Sequence, residues 1–131
     1  MKTGILKTQR TQAIRNSFFD AIKSMDGATV QQDEVIKRAL SKGAPRFYTT
    51  YENAQRFVSL LERGKKLPIT NKHKIEMYKE IHRRYQEMKE KFGISSYSML
   101  EQIINSPAPS FYISSETFKY VFYKSYTRRC I

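Results

Sequence analysis

One nine-residue phrase occurs twice in this chain. Ala44-Pro45-Arg46-Phe47-Tyr48-Thr49-Thr50-Tyr51-Glu52 returns 64 positions later as Ala108-Pro109-Ser110-Phe111-Tyr112-Ile113-Ser114-Ser115-Glu116. Five positions are identical without a gap, and Thr50/Ser114 is a matched hydroxyl pair. An apolar periodic segment precedes each copy (Val35, Ile36, Ala39, Leu40 against Met99, Leu100, Ile103, Ile104), and another follows (Ala54, Phe57, Val58, Leu61 against Phe118, Val121, Phe122). Such a repeat constrains the fold before any helix is assigned, because one small unit must then be stabilised twice.

Apolar spacings of three and four predict helices throughout. Ile14, Phe18, Ile22 and Met25 mark one from about Thr8 to Met25, ended by Asp26-Gly27. Thr29 and Gln32 have the spacing of a capping box for the second, which Gly43 closes. Pro45 cannot continue a helix and biases Ala44 towards an extended conformation. Thr49 or Thr50 caps a third helix reaching about Arg63, with Glu52 in its first turn, where a negative charge is favoured. Residues 64–70 link the copies. A longer helix from about Asn71 to Phe92 is expected to bury Ile75, Tyr78, Ile81, Tyr85, Met88 and Phe92. Its Ile81/Tyr85/Met88 triplet matches Phe18/Ile22/Met25 at an offset of 63. Ser95 or Ser96 starts the fifth helix, and the sixth spans about Ser115 to Arg128. The expected fold is all-α: two tandem three-helix units, each helix–helix–extended connector–helix, over residues 1–64 and 71–131 with 65–70 as linker.

Charge bounds the function. There are 24 Lys and Arg against 12 Asp and Glu, a net +12. The excess is in both halves: 11 against 6 in residues 1–64, and 13 against 6 in residues 65–131. A surface this positive attracts polyanions, of which nucleic acid is the commonest inside cells. The hydrophobic fraction of 40% with 8 Phe and 9 Tyr supplies a core. No apolar run is long enough for a membrane span, and the first residues lack the apolar stretch of a signal peptide. The single cysteine, Cys130, permits no internal disulfide, which suits the cytoplasm.

In the repeated connector, Phe47 and Phe111 are expected to plug the cores. Tyr48 and Tyr112, with Arg46, are alternatives for stacking bases or holding phosphate. Arg46 becomes Ser110 in the second copy. Two successive basic three-helix units resemble tandem helix-turn-helix DNA-binding domains, with Thr29–Leu61 and Ser95–Ser125 as the two-helix cores. The Ala-Pro-x-Phe-Tyr phrase is also similar to that of small basic proteins of bacterial mobile elements and phages, whose function is uncharacterised. The connector departs from the helix-turn-helix pattern: about six residues with a proline replace the usual turn of three or four.

Candidate contacts follow from the faces left outward. The third helix leaves Arg56 and Arg63, the linker Lys65 and Lys66, and the fourth helix Arg83 and Arg84. The last helix leaves Lys119, Tyr120, Tyr123, Lys124, Arg128 and Arg129 as a basic face interleaved with tyrosine. That composition suits phosphate and base contacts, and also a protein contact rich in Tyr and Arg. Catalytic material is lacking: His73 and His82 are nine residues apart on opposite helix faces, and there is no Cys-x-x-Cys pair or Gly-rich phosphate loop. The expectation is a non-enzymatic cytoplasmic protein without metal or cofactor. Its partner is nucleic acid, DNA before RNA, contacted through the third helix of each repeat, as a phage or mobile-element regulator or accessory factor. The alternative is a helical adaptor or inhibitor that binds an acidic protein, or a homodimer; no membrane is involved.

Overall fold

A computed structural model describes the backbone of residues 2–25, 31–93 and 97–130, and the side chains of 6–25, 31–93 and 98–124. The expected caps at Thr29, Ser95 and Ser96, the stop at Asp26-Gly27, and the side chains of Arg128, Arg129 and Cys130 lie outside these. The described residues form six helices: α1 (Lys2–Ser24), α2 (Gln32–Ser41), α3 (Tyr51–Glu62), α4 (Lys72–Phe92), α5 (Tyr97–Ile104) and α6 (Ser115–Cys130). No strand occurs among the described residues. No described helix is long and apolar enough to cross a membrane.

The caps follow local chemistry. The Thr50 hydroxyl accepts from the Asn53 N–H at 3.1 Å, and its repeat counterpart Ser114 accepts from Thr117 N–H at 3.1 Å. The Asn71 side chain accepts from Lys74 N–H at 3.2 Å. Each such bond satisfies a first-turn donor that has no partner within the helix. Gly93 follows α4 at φ 68°, in the left-handed region where a Cβ is costly. At α2, the capping position is Gln31, whose side chain makes no capping bond, so the helix starts later than a Thr29 box implies.

The chain forms two compact units. One consists of residues 1–44 with 109–131, and the other of residues 45–108. Unit 1 is thus α1, α2 and α6; unit 2 is α3, α4 and α5. Each helix packs on the other two of its own unit. This grouping differs from the contiguous stretches 1–64 and 71–131 read from the sequence. The third helix of each repeat packs with the first two helices of the other repeat. The helix-turn-helix likeness needed α2 beside α3 and α5 beside α6, and these pairs are divided between the units. The chain passes between units at Ala44–Pro45 and at Ala108–Pro109, the first bond of each repeated phrase. The physical reason lies in the connector. A proline-led extended segment, unlike a tight turn, does not fold the following helix back onto the preceding one.

In unit 2, Phe47 is buried and its N–H donates to the Ile104 carbonyl at 2.9 Å, so the connector caps the end of α5. Ala54, Phe57 and Val58 of α3 meet Met77, Tyr78, Ile81 and Tyr85 of α4 and Met99, Leu100, Ile103 and Ile104 of α5. In unit 1, Phe111 is buried edge-on to Phe118 with ring centroids 6.1 Å apart, and Phe18 stacks on Phe122 at 4.0 Å. Both connector phenylalanines therefore plug a core. Ser17 of α1 donates to the Ala39 carbonyl of α2 at 3.2 Å.

Two expected core positions are outside. Ile22 is 41% exposed, and Ala21 takes the inner stripe. Two successive steps of four drift by about 80° around a helix, whereas a four then a three returns to within about 20°. Ile14, Phe18 and Ala21 are therefore the stripe. Phe92, the last residue of α4, is 58% exposed, while Met77 is buried and Ile75 only half-buried.

Candidate nucleic-acid interface

The proposed contact residues fall into three groups once their partners are known. Arg46 works inside its own connector. Its guanidinium donates to the carbonyls of Phe47 at 3.0 Å and Thr49 at 3.3 Å, and burial lowers its pKa. Ser110 at the matched position accepts from Tyr112 N–H at 2.9 Å, where Tyr112 holds a positive φ of 57°. Arginine and serine thus each support their connector's backbone, which accounts for the difference between the copies. Tyr48 and Tyr112 are half-buried.

Arg83 and Arg84 are likewise committed. Arg83 pairs with Glu80 and Glu87, both at 2.8 Å. Arg84 pairs with Glu80 at 2.9 Å, donates to Ser106 Oγ at 3.2 Å and to the Pro107 carbonyl at 3.0 Å, and lies 4.9 Å from the Phe47 ring centroid. The Arg83 bond, ahead of the Arg84 one, holds the Glu80 carboxyl below its ordinary pKa. Arg84 is a packing residue of unit 2, and the charge of Arg83 is offset by two carboxylates.

A second group is exposed on unit 2. Arg56 lies 4.7 Å from the centroid of Phe57, and Arg63 rests against Ser59 of the previous turn. Lys65 and Lys66 are exposed in the linker, and Lys72, His73 and Lys74 are exposed in the first turn of α4. No acidic residue stands between Glu62 and Glu76. Lysines in a first turn oppose the positive end of the helix dipole. Local helix stability thus gives no reason for them.

The third group is on unit 1. Lys119, Tyr120, Tyr123 and Lys124 are all exposed on α6, Tyr120 by 63% and Tyr123 by 38%. Lys124 Nζ donates to Tyr120 Oη at 3.3 Å and lies 5.5 Å from that ring centroid. Neither lysine has an ion-pair partner among the described residues. The aromatic surface extends to α1. Phe19, 39% exposed, contacts the buried Phe122 ring at 5.7 Å, and Phe122 contacts Tyr123 at 5.4 Å. Arg15 places its guanidinium 6.0 Å from the Phe19 centroid.

Arg15 and Phe19 were not among the residues expected from sequence. The signal that finds them is the offset of 63 between α1 and α4, carried residue by residue: Arg15 matches Tyr78, and Phe19 matches His82. Among the described residues no group of three or more potential metal ligands occurs. Neither a family model, nor a curated protein, nor a solved structure matches the chain.

Proposed function

We propose that this chain is a small basic nucleic-acid-binding protein, with DNA before RNA as its target. It contacts the phosphate backbone through the third helix of each repeat: α6 with Lys119 and Lys124, and α3 with Arg56, Arg63 and the adjoining Lys65 and Lys66. A regulator or accessory factor of a phage or mobile element fits such a protein. The observation that carries the reading is the outer face of α6. Two lysines without acidic partners among the described residues flank two tyrosines exposed to solvent. Cations for phosphate beside rings for bases are the recurring equipment of nucleic-acid surfaces.

The test is a salt titration of binding to a labelled DNA duplex. Affinity should fall with a log–log slope of about −0.9 per phosphate neutralised. Reversing Lys119 and Lys124 to glutamate should weaken binding and flatten that slope by about two contacts. Binding that is weak at low salt, or indifferent to the double reversal, removes the reading. The competing function is an adaptor for an acidic protein. The exposed Phe19 and Ile22 of α1 favour it, since apolar patches also mark protein contacts. A stoichiometric protein captured from nuclease-treated lysate, lost on the same charge reversal, would support it.

A further inference from the structure

The segment that joins α3 to α4 runs back along unit 2. Phe57 of α3 meets Tyr78 of α4 with ring centroids 4.5 Å apart, and further along α3 Glu62 bonds His82 at 2.8 Å and Lys89 at 2.7 Å. The two helices therefore advance in the same direction, and α3 ends beside the later turns of α4. His82 stands ten residues after Lys72, about 15 Å along the helix axis. Residues 63–71 must cover a distance of that order, so they make an extended return and not a tight turn. The return is pinned at three points. Gly64, at φ 71°, and Lys65 donate their N–H groups to the carbonyls of Leu61 at 3.0 Å and Leu60 at 2.9 Å. Leu67 is buried at its middle, and Asn71 caps α4 at its end.

Every cation along this return is in solvent: Arg63, Lys65 and Lys66 at its start, Lys72 and Lys74 where it enters α4. None has an ion-pair partner among the described residues, although α4 pairs Arg83, Arg84 and Lys89 further along. They differ from Arg15 of unit 1, whose Nε and Nη1 are shielded from solvent and have no hydrogen-bond partner among the described residues. Lys72 and Lys74 stand at the positive end of the α4 dipole, which has no acidic residue in its first turn. The row thus costs folding stability, and a polyanion is the ligand that uses it. It has little to read bases with, since no Phe, Tyr or Gln lies between Arg63 and Lys74 and the Asn71 oxygen is taken by its cap. Single strands are held by stacking on rings, which the row lacks. One strand of a duplex carries a phosphate every 3.4 Å or so of axis, so about 15 Å faces four or five of them. We infer that the return from Arg63 to Lys74 is a sequence-blind track for the phosphate backbone of duplex DNA. The inference rests on the nucleic-acid reading and adds the first turn of α4, strand type and indifference to base sequence.

The experiment measures anisotropy of two labelled sixteen-base-pair duplexes of unrelated sequence, and of a single strand of equal length, with the full chain over a range of salt. Lys65→Gln, Lys66→Gln, Lys72→Gln and Lys74→Gln combined in one chain should weaken both duplexes by the same factor, about thirtyfold or more, and flatten the log–log slope by about 3–4. Lys72→Glu alone should weaken both duplexes and raise the melting temperature of the free protein by about 1–3 °C, because the α4 dipole gains a favourable charge. If the parent binds duplex in a salt-dependent way and the fourfold variant keeps its affinity and slope, the track is refuted while the general reading stands. If the parent binds no duplex even at low salt, both are refuted. A loss confined to one sequence would overturn the indifference to bases, and a larger loss on the single strand than on the duplexes would overturn the assignment to a duplex. A lower melting temperature for Lys72→Glu with unchanged binding would make Lys72 a structural residue and remove the first turn of α4 from the track.

Discussion

At three matched positions unit 2 carries groups that bond internally, where unit 1 carries groups that do not. Tyr78 bonds Thr49, but the residues at the corresponding positions of unit 1 are Arg15 and Ile113. His82 bonds Glu62, but Phe19 stands half in solvent. Arg84 ties Glu80, Ser106 and Pro107 together, but its counterpart is Ala21. The third helices differ in the same sense: Gln55, Arg56, Ser59 and Leu60 of α3 become Lys119, Tyr120, Tyr123 and Lys124 in α6. Both units keep the same apolar plan, with Ile14, Phe18 and Phe122 answering to Met77, Ile81 and Val58. Duplication allows this division. Unit 2 holds its polar groups in an internal framework, whereas unit 1 leaves Phe19, Tyr120 and Tyr123 exposed to solvent.

The comparison depends first on which helices make each unit. Helices α1, α2 and α3 precede the linker, and α4, α5 and α6 follow it, yet each unit draws on both sides. A protease site inserted within residues 65–70 should therefore leave two fragments that co-elute with native helicity after cleavage. Contiguous units 1–64 and 71–131 would separate on size exclusion, and that result would break the comparison at its root. The next largest effect is in the cores. Phe47→Ala and Phe111→Ala should each cost about 3–5 kcal/mol. Phe47→Ala should loosen unit 2, and Phe111→Ala should loosen unit 1, as read by amide hydrogen exchange. Loosening of α1 and α2 together with α3 by Phe47→Ala, and of α4 and α5 together with α6 by Phe111→Ala, would restore the contiguous grouping.

Much of this was legible in the residues, for definite reasons. Helix number and the inner stripes of α2, α3 and α5 follow from spacing, because each is short and has a single apolar face. The plugging role of Phe47 and Phe111 and the capping hydroxyls of Thr50 and Ser114 follow from the repeat itself. Partnership between helices was not legible. Periodicity shows which face of α3 is buried and is silent on whether α2 or α4 buries it. The commitments of Arg83, Arg84 and Arg46 were partly hidden for a related reason. Glu80 and Glu87 are local and readable, whereas the Pro107 carbonyl and the Phe47 ring come to Arg84 only through tertiary structure. Arg15 was missed because a lone arginine on a basic helix carries no pattern until it is set against Tyr78.

The Tyr78–Thr49 pair gives an intermediate test. Burial raises the Tyr78 pKa, so the hydroxyl stays protonated and able to donate at neutral pH. Tyr78→Phe should cost about 1–3 kcal/mol, because Thr49 loses its buried partner. Adding Thr49→Val should recover most of that loss. Carrying the pair into unit 1 sharpens the comparison: Arg15→Tyr with Ile113→Thr should stabilise unit 1 in urea titrations. If Arg15→Tyr alone destabilises as much as Tyr78→Phe, then Arg15 has a partner after all and the contrast between units fails.

The smallest expected effect concerns Glu62, and here pH does the discriminating. It is the last residue of α3, where a negative charge opposes the helix dipole. Unit 2 offsets this with Lys89 Nζ at 2.7 Å, His82 Nε2 at 2.8 Å and Gln86 Nε2 at 3.3 Å. The Lys89 bond, then the His82 bond, pull the carboxyl pKa from 4.5 down to about 2. A carboxyl depressed in the folded state contributes stability that is complete above its unfolded pKa and disappears as pH falls through the folded one. The contribution should therefore be present at pH 7, decline below about pH 4.5 and be gone near pH 2. Glu62→Gln should cost roughly 0.2–1 kcal/mol at pH 7, the range for ion pairs near a surface. The gap between variant and parent should close on acidification. Unit 1 should show no change at any pH. A gap that persists at pH 2, or one shared equally by both units, would mean that Glu62 acts through packing, and that the polar framework ascribed to unit 2 is not what holds α3 to α4.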